Sequence, residues 1–227
     1  MLKTRQSEKL KSEFKFLDNY LKYLPKDMKI LDVGCGYGEK LIHIHDKNYD
    51  VLGVEKNKFI LNEMKNKGYN VLNLEEFEAK KNKKYDLIIM SHIIEHFDYE
   101  SLKEFMEYYL QFLKNGGDLM IFTPTLSKDF YVDFDHVKPY HPQGIKVLFD
   151  GSNFQLQFYS KYKLKLIEFR YRKSPIFITY TRRQLLGQKD RLTSLINLFS
   201  LAIFKLSFKT FAKTTGWMGV YKKVEDS

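Results

Sequence analysis

Apolar residues recur every three or four positions at Leu10, Phe14, Leu17, Leu21 and Leu24, and Pro25 ends the run. That spacing predicts an amphipathic helix over 7–24, packed over the end of a sheet. Beyond it the pattern changes to short, nearly unbroken apolar runs separated by segments of helical period. The runs predict strands over 29–33, 50–54, 69–73, 85–91 and 117–123. The segments between them predict helices over 38–46, 57–67 and 100–113, with a polar connection before the fourth strand. Strands that are apolar on both faces must be covered on both faces. Their alternation with helices therefore predicts a mostly parallel sheet with right-handed crossovers and helices on each side. Asn115-Gly116-Gly117 supplies a helix stop, and Lys80-Lys81-Asn82-Lys83-Lys84 reads as a solvated loop.

After Pro124 the regularity fails. Residues 124–144 form a long connection rich in aromatics, His, Asp and Pro, a length that marks a functional loop in a compact domain. A short helix over 145–151 ended by Gly151, a strand within 153–171 and a second elaboration over 172–215 follow. Trp217-Met218-Gly219-Val220-Tyr221 reads as the last strand. Within the elaboration, Leu192, Leu195, Ile196, Phe199, Ala202, Ile203 and Leu206 make a broad apolar stripe, with Lys205, Lys209 and Lys213 off its centre. Lysines inside the run argue against a membrane span. A lid or dimer helix packed on the domain is expected, with a peripheral membrane contact through 192–213 as the alternative.

Composition narrows the class. A chain of 227 residues, 44% of them hydrophobic, suits one α/β domain: an N-terminal helix over 1–28, a core over 29–171, a helical insertion over 172–215, and the last strand and tail over 216–227. The single cysteine, Cys35, excludes a disulfide framework and fits a reducing compartment. The charged segment from Met1 to Glu8 has no apolar core of a secretion signal, so a cytoplasmic location is expected. Lysines spread through nearly every segment bring the net charge to +10, a surface that attracts anions. No Arg-rich cluster with interleaved aromatics stands out, so nucleic acid is not the expected partner.

The chemistry begins at Lys29-Ile30-Leu31-Asp32-Val33-Gly34-Cys35-Gly36-Tyr37-Gly38-Glu39, a buried strand running into a glycine-rich turn. Such a turn lets a nucleoside lie against the main chain at the carboxyl edge of a sheet. Roughly 20 residues downstream, where nucleotide folds place a ribose-binding carboxylate, Glu55 closes the run Val51-Leu52-Gly53-Val54. The spacing here is G-x-G-x-G, whereas a dinucleotide site wants G-x-G-x-x-G.

This segment resembles motif I of the class I S-adenosylmethionine (SAM)-dependent methyltransferases. The resemblance extends over 29–160: Tyr85-Asp86-Leu87-Ile88-Ile89-Met90-Ser91-His92-Ile93-Ile94-Glu95-His96-Phe97 is similar to the family's fourth-strand motif, and Leu113-Lys114-Asn115-Gly116-Gly117 to its Leu-Lys-Pro-Gly-Gly turn. It implies a Rossmann-like, seven-stranded sheet with a final antiparallel strand beside the fifth, and SAM as cofactor with S-adenosylhomocysteine as product. It further implies that Gly34, Gly36 and Gly38 admit the methionine and ribose portions, that Asp32 orients the turn or the ammonium, and that Glu55 accepts from both ribose hydroxyls. Asn73 stands where the family often has an acid for the adenine amino group, and Leu74, Ser91 and His92 complete the expected cofactor set.

His92-x-x-Glu95-His96 also matches an inverted zinc-protease pattern, but that use requires a helix and the motif begins at the end of a buried strand. The element is similar as well to a Glu-x-x-Glu-His motif that holds a divalent ion in some O-methyltransferases. With His92 at the first position no metal is expected, the alternative being a site formed by His92, Glu95, His96 and His136. The segment Phe130-Tyr131-Val132-Asp133-Phe134-Asp135-His136-Val137-Lys138-Pro139-Tyr140-His141-Pro142 resembles methyltransferases of capsule and O-antigen polysaccharide pathways, with Phe134-Asp135 in place of Pro-Thr and Ser152-Asn153-Phe154 at the following turn. That likeness implies a saccharide or phosphorylated saccharide acceptor. His136 is then the expected general base, with His96 next and Glu95 orienting one of them, and Lys138, Tyr140 and His141 the expected substrate contacts. An RNA 2'-O-methyltransferase and a non-catalytic SAM-binding subunit of a glycan-assembly complex are the rival readings.

Overall fold

A computed structural model describes residues 2–80, 83–150 and 159–224, with side chains from Glu8 onward. The N-terminal helix α1 (Leu2–Leu21) leads into β1 (Lys29–Val33), α2 (Glu39–His45), β2 (Asp50–Val54), α3 (Lys58–Asn66), β3 (Val71–Leu72) and α4 (Leu74–Glu78). Then come β4 (Tyr85–Ser91), α5 (Tyr99–Leu110), β5 (Leu113–Pro124), α6 (Pro142–Asp150), β6 (Leu164–Ser174), α7 (Arg182–Leu185), α8 (Arg191–Leu206) and β7 (Lys213–Lys223). The seven strands form one sheet in the order β3-β2-β1-β4-β5-β7-β6. β1 through β5 pair in parallel, and β7 runs antiparallel to both β5 and β6. The order reverses between β1 and β4, so their carboxyl ends diverge into the crevice where such sheets bind ligands.

Period-2 alternation sorts the core into two layers. Leu31, Val33, Ile88 and Met90 face one way, against Phe77, Leu102, Met106 and Tyr109 of α4 and α5. Ile30, Leu87 and Ile89 face the other, against Phe16, Leu17 and Leu21 of α1 and Leu41, Ile44 and Met64 of α2 and α3. Fully burying each such side chain contributes about 1.5 to 3 kcal/mol.

Several expected boundaries are corrected. The first helix starts at Leu2 and stops at Leu21. The polar connection before β4 contains α4, started by a reciprocal cap in which Asn73 accepts from the Glu76 amide while the Glu76 carboxylate accepts from the Asn73 amide. The third strand is only Val71–Leu72, and α5 ends at Leu110 instead of 113. β5 starts at Leu113, opposite Tyr85, and bulges before Asp118 pairs with Leu87. The short helix starts at Pro142, and β6 runs on to Ser174, so the helical insertion spans 175–212. Gly151, the Ser152-Asn153-Phe154 turn, the start of the strand expected within 153–171 and the tail after Val224 lie outside the described residues.

Candidate functional site

The glycine turn after β1 is pinned to the end of β2, where the Val54 carbonyl accepts from the amides of Gly34 and Cys35. Gly34, Gly36 and Gly38 all have positive φ, a region open to glycine at no steric cost. Their surroundings differ. A Cβ on Gly34 would lie 2.3 Å from Ile93 Cδ1 and one on Gly38 2.3 Å from Met64 Cε, while the space around Gly36 is open. The bare Cα of Gly38 therefore admits α3, and only Gly34 of the three lines the cleft described next. Cys35 fills the turn, its thiol pushed up by burial and so kept unreactive.

Glu55, buried at the end of β2, accepts from the Gly36 amide at 2.9 Å and from the Asn57 amide at 2.7 Å. A carboxylate has about four acceptor directions, so two bonds hold it in place and leave capacity for further donors. A cleft of about 770 Å³ opens over these ends, lined by Val33, Gly34, Glu55, Leu74, His92 and Ile93, and on its far side by His96, Phe105 and Tyr109. Asn73 and Ser91 are not on its wall. The Asn73 side-chain oxygen caps α4, accepting from the Glu76 amide at 2.8 Å.

Asp32 lies beneath the turn, fully buried, and neither carboxylate oxygen has a hydrogen-bond partner. Burial raises its pKa from the usual carboxylate range to about 7, against the opposing charge of Lys40.

Next to the cleft is a buried charge cluster that the sequence does not announce. Glu13 of α1, with no exposed surface, accepts from Lys40 Nζ at 2.6 Å, from His92 Nε2 at 2.9 Å and from the Arg172 guanidinium. Burial alone would raise the Glu13 pKa, but His92, Lys40 and Arg172 outweigh it and hold it well below the carboxylate range. Arg172 reaches this cluster because residue 216 is glycine: a Cβ there would sit 2.5 Å from the guanidinium. His92, in the left-handed region at φ 55°, turns its other nitrogen to Glu95 at 3.3 Å. Glu95 is also buried, accepts from the Thr123 hydroxyl at 3.1 Å, and is held below its usual pKa by His92 against the cost of burial.

The long loop after β5 is stapled to the same point. The Glu95 carbonyl accepts from the amides of Val137 and Lys138, which carries His136 to within 3.9 Å of the Glu95 carboxylate. His136 Nδ1 donates to the Phe130 carbonyl at 2.7 Å, so its Nε2 is the free nitrogen, 3.5 Å from Asp133. The His96 and His136 rings are 5.0 Å apart, and His96 Nδ1 meets the Asp135 carbonyl. Glu95, His96 and His136 place ligand atoms within 4.8 Å of one another, whereas His92 has both nitrogens turned to Glu13 and Glu95. The four-residue alternative thus becomes three.

His136 lines a second cleft of about 340 Å³, together with Lys9, Phe130, Arg172, Lys173 and Thr215. Burial, helped by Arg172 and Lys40 and opposed by Glu13, lowers the Lys9 pKa. The expected substrate contacts are elsewhere. Lys138 lies 5.4 Å over the Tyr99 ring, the Tyr140 hydroxyl donates to the Phe97 carbonyl, and His141 Nδ1 accepts from the Gln143 amide at the start of α6. None of the three lines either cleft. Glu13, Lys40, Lys9 and Arg172 take the places that sequence reasoning missed. Glu13 had a signal, being an acid on the apolar stripe between Leu10 and Leu17.

These features coincide with a known family. The model of the methyltransferase domain matches residues 2–158, and the chain belongs to that family. Its architecture is that of the SAM-dependent methyltransferases. A SAM-dependent methyltransferase from Archaeoglobus fulgidus is 22% identical, with 94% of each chain covered and a TM-score of 0.59. Coclaurine N-methyltransferase is 17% identical over 93% of this chain and 72% of its own, TM-score 0.53. Magnesium protoporphyrin IX methyltransferase from Synechocystis PCC 6803, with bound S-adenosylhomocysteine, is 13% identical over 96% of this chain and 82% of its own, TM-score 0.57. No curated protein matches the chain. SAM suits the first cleft, whose wall offers the spare acceptor capacity of Glu55 to a ribose and the apolar surface of Leu74 to an adenine.

Proposed function

We propose that this chain transfers the methyl group of SAM to an oxygen of an anionic saccharide, either a cell-surface glycan hydroxyl or its phosphate-type decoration, in the cytoplasm. The observation that carries the proposal is the second cleft, whose lining His136 shares with the basic residues Lys9 and Lys173. Bound SAM supplies an electrophilic sulfonium methyl. The chain's part is positioning and proton transfer. The acceptor hydroxyl would give its proton to His136 Nε2 as its oxygen bonds the methyl carbon, the S–C bond breaking to leave neutral S-adenosylhomocysteine. Nδ1–H stays on the Phe130 carbonyl, and the carboxylates of Asp133 and Glu95 face the imidazolium that forms. Lys9 makes no ion pair at 4 Å or less among the described residues, so its ammonium is available to an acceptor phosphate or carboxylate. The saccharide assignment rests on the resemblance of the segment around His136 to polysaccharide-pathway enzymes, and the lone Cys35 supports the compartment.

The test is methyl transfer from labelled SAM to phosphorylated saccharides, their neutral counterparts and RNA. Phosphorylated saccharides should be preferred, and Lys9→Ala should raise KM for them about tenfold while leaving neutral sugars unaffected. Preference for RNA would favour the 2'-O-methyltransferase reading, and SAM binding without turnover on any acceptor would favour a non-catalytic subunit. No metal is required by this reading, so dialysis against chelator should leave turnover unchanged. Loss of turnover restored by a divalent ion would assign Glu95, His96 and His136 to that ion.

A further inference from the structure

The helix α8 is oriented against its own sequence pattern. Its inward stripe is Thr193, Asn197, Ser200 and Phe204: Asn197 bonds both the amide and the carbonyl of Ile178, and Ser200 donates to the Ile176 carbonyl. Its outward face is apolar, with Leu195 52%, Phe199 63% and Leu206 80% exposed, extended by Leu185, Leu192 and Phe208. Exposed apolar patches of this extent mark interaction sites. From Arg182 to Lys209 the chain carries six basic residues, Arg182, Arg183, Lys189, Arg191, Lys205 and Lys209, and one acid, Asp190. That acid is committed to the start of α8, accepting from the Thr193 amide and the Thr181 hydroxyl.

We infer that this face docks on an anionic lipid bilayer, α8 lying in the plane of the interface. An apolar face bordered by lysine and arginine is what an interfacial helix requires. At 16 residues α8 is about 24 Å long, and no described helix is long and apolar enough to cross a membrane. A second copy fits the face less well, because a twofold contact would set the same cations against each other. The β6 residues Lys173 and Ser174 line the acceptor cleft, and the segment that follows them is bonded to α8 through Ile176 and Ile178, so docking through α8 tethers the element that carries one wall of that cleft.

Sedimentation of the full chain with vesicles tests this directly. It should pellet with equimolar phosphatidylcholine and phosphatidylglycerol, be released by high salt, and stay in solution with phosphatidylcholine alone. Leu195→Asp with Phe199→Asp should lower the vesicle affinity about tenfold or more, while the circular dichroism melt and SAM affinity remain those of the parent chain. Failure to pellet with the anionic vesicles, or equal pelleting with neutral ones, would overturn the inference. So would a dimer in sedimentation equilibrium that these substitutions dissolve. Binding that persists unchanged in the double variant would equally rule out α8 as the docking face.

Discussion

Two helices of this chain, α1 and α8, carry apolar stripes of similar period and sit in opposite ways. In α1 the stripe turns inward: Phe16, Leu17 and Leu21 are buried against the sheet, and the acid in the stripe, Glu13, is carried into the charge cluster with Lys40, His92 and Arg172. In α8 the stripe turns outward, and the buried contacts are made by Thr193, Asn197 and Phe204. Hydrophobic period identifies a helix and its face but not what covers that face. For α1 the cover is the chain's own sheet, which buries the polar cluster beside the two clefts. For α8 we infer that it is a bilayer.

The comparison is broken most severely at Glu13. Glu13→Ala leaves Lys40 and Arg172 buried without their acid and should cost about 3 to 5 kcal/mol in urea unfolding. The contribution of Glu13 is present above the ordinary carboxylate pKa and is lost as pH falls through its depressed folded value, so the deficit of the variant should narrow in acid. Asp32 sharpens the contrast from the other direction, being the buried acid beside this cluster whose oxygens have no hydrogen-bond partner. Its folded pKa of about 7 is raised, so the stability it allows is fully present below its unfolded value and declines as pH rises through about 7. Asp32→Asn should therefore stabilise the ligand-free protein above neutrality by an amount on the order of 4 kcal/mol, match the parent in acid, and weaken SAM binding in calorimetry. The smallest effect belongs to α8: Leu195→Ala should change stability by about 0.5 kcal/mol or less in the same unfolding measurement, since its side chain is already in solvent.

The strands and the glycine turn were legible because their signals are local: an apolar run, then glycines whose positive φ the turn uses. Glu55 and the meeting of Glu95 with His136 were legible through motif spacing and resemblance. The charge cluster was not, because it joins Glu13 to Arg172 across 159 positions and depends on a glycine at 216 that reads as an ordinary strand residue. The partners of Asn73 and Lys138 within the chain were not legible for a related reason. Each is polar and adjacent to the site in sequence, but one caps α4 and the other lies over Tyr99. Backbone and aromatic neighbours claim such side chains before a ligand does.

We propose that cofactor and acceptor occupy separate clefts whose walls touch where His92 of the first meets Arg172 of the second, with His136 serving the acceptor side. Turnover and SAM affinity of His136→Ala, measured side by side with a phosphorylated saccharide acceptor, test it most directly. The account predicts a fall in kcat of about 10²- to 10⁴-fold with SAM affinity unchanged. Full turnover in the variant, or a loss of SAM affinity that accounts for the lost rate, would contradict it.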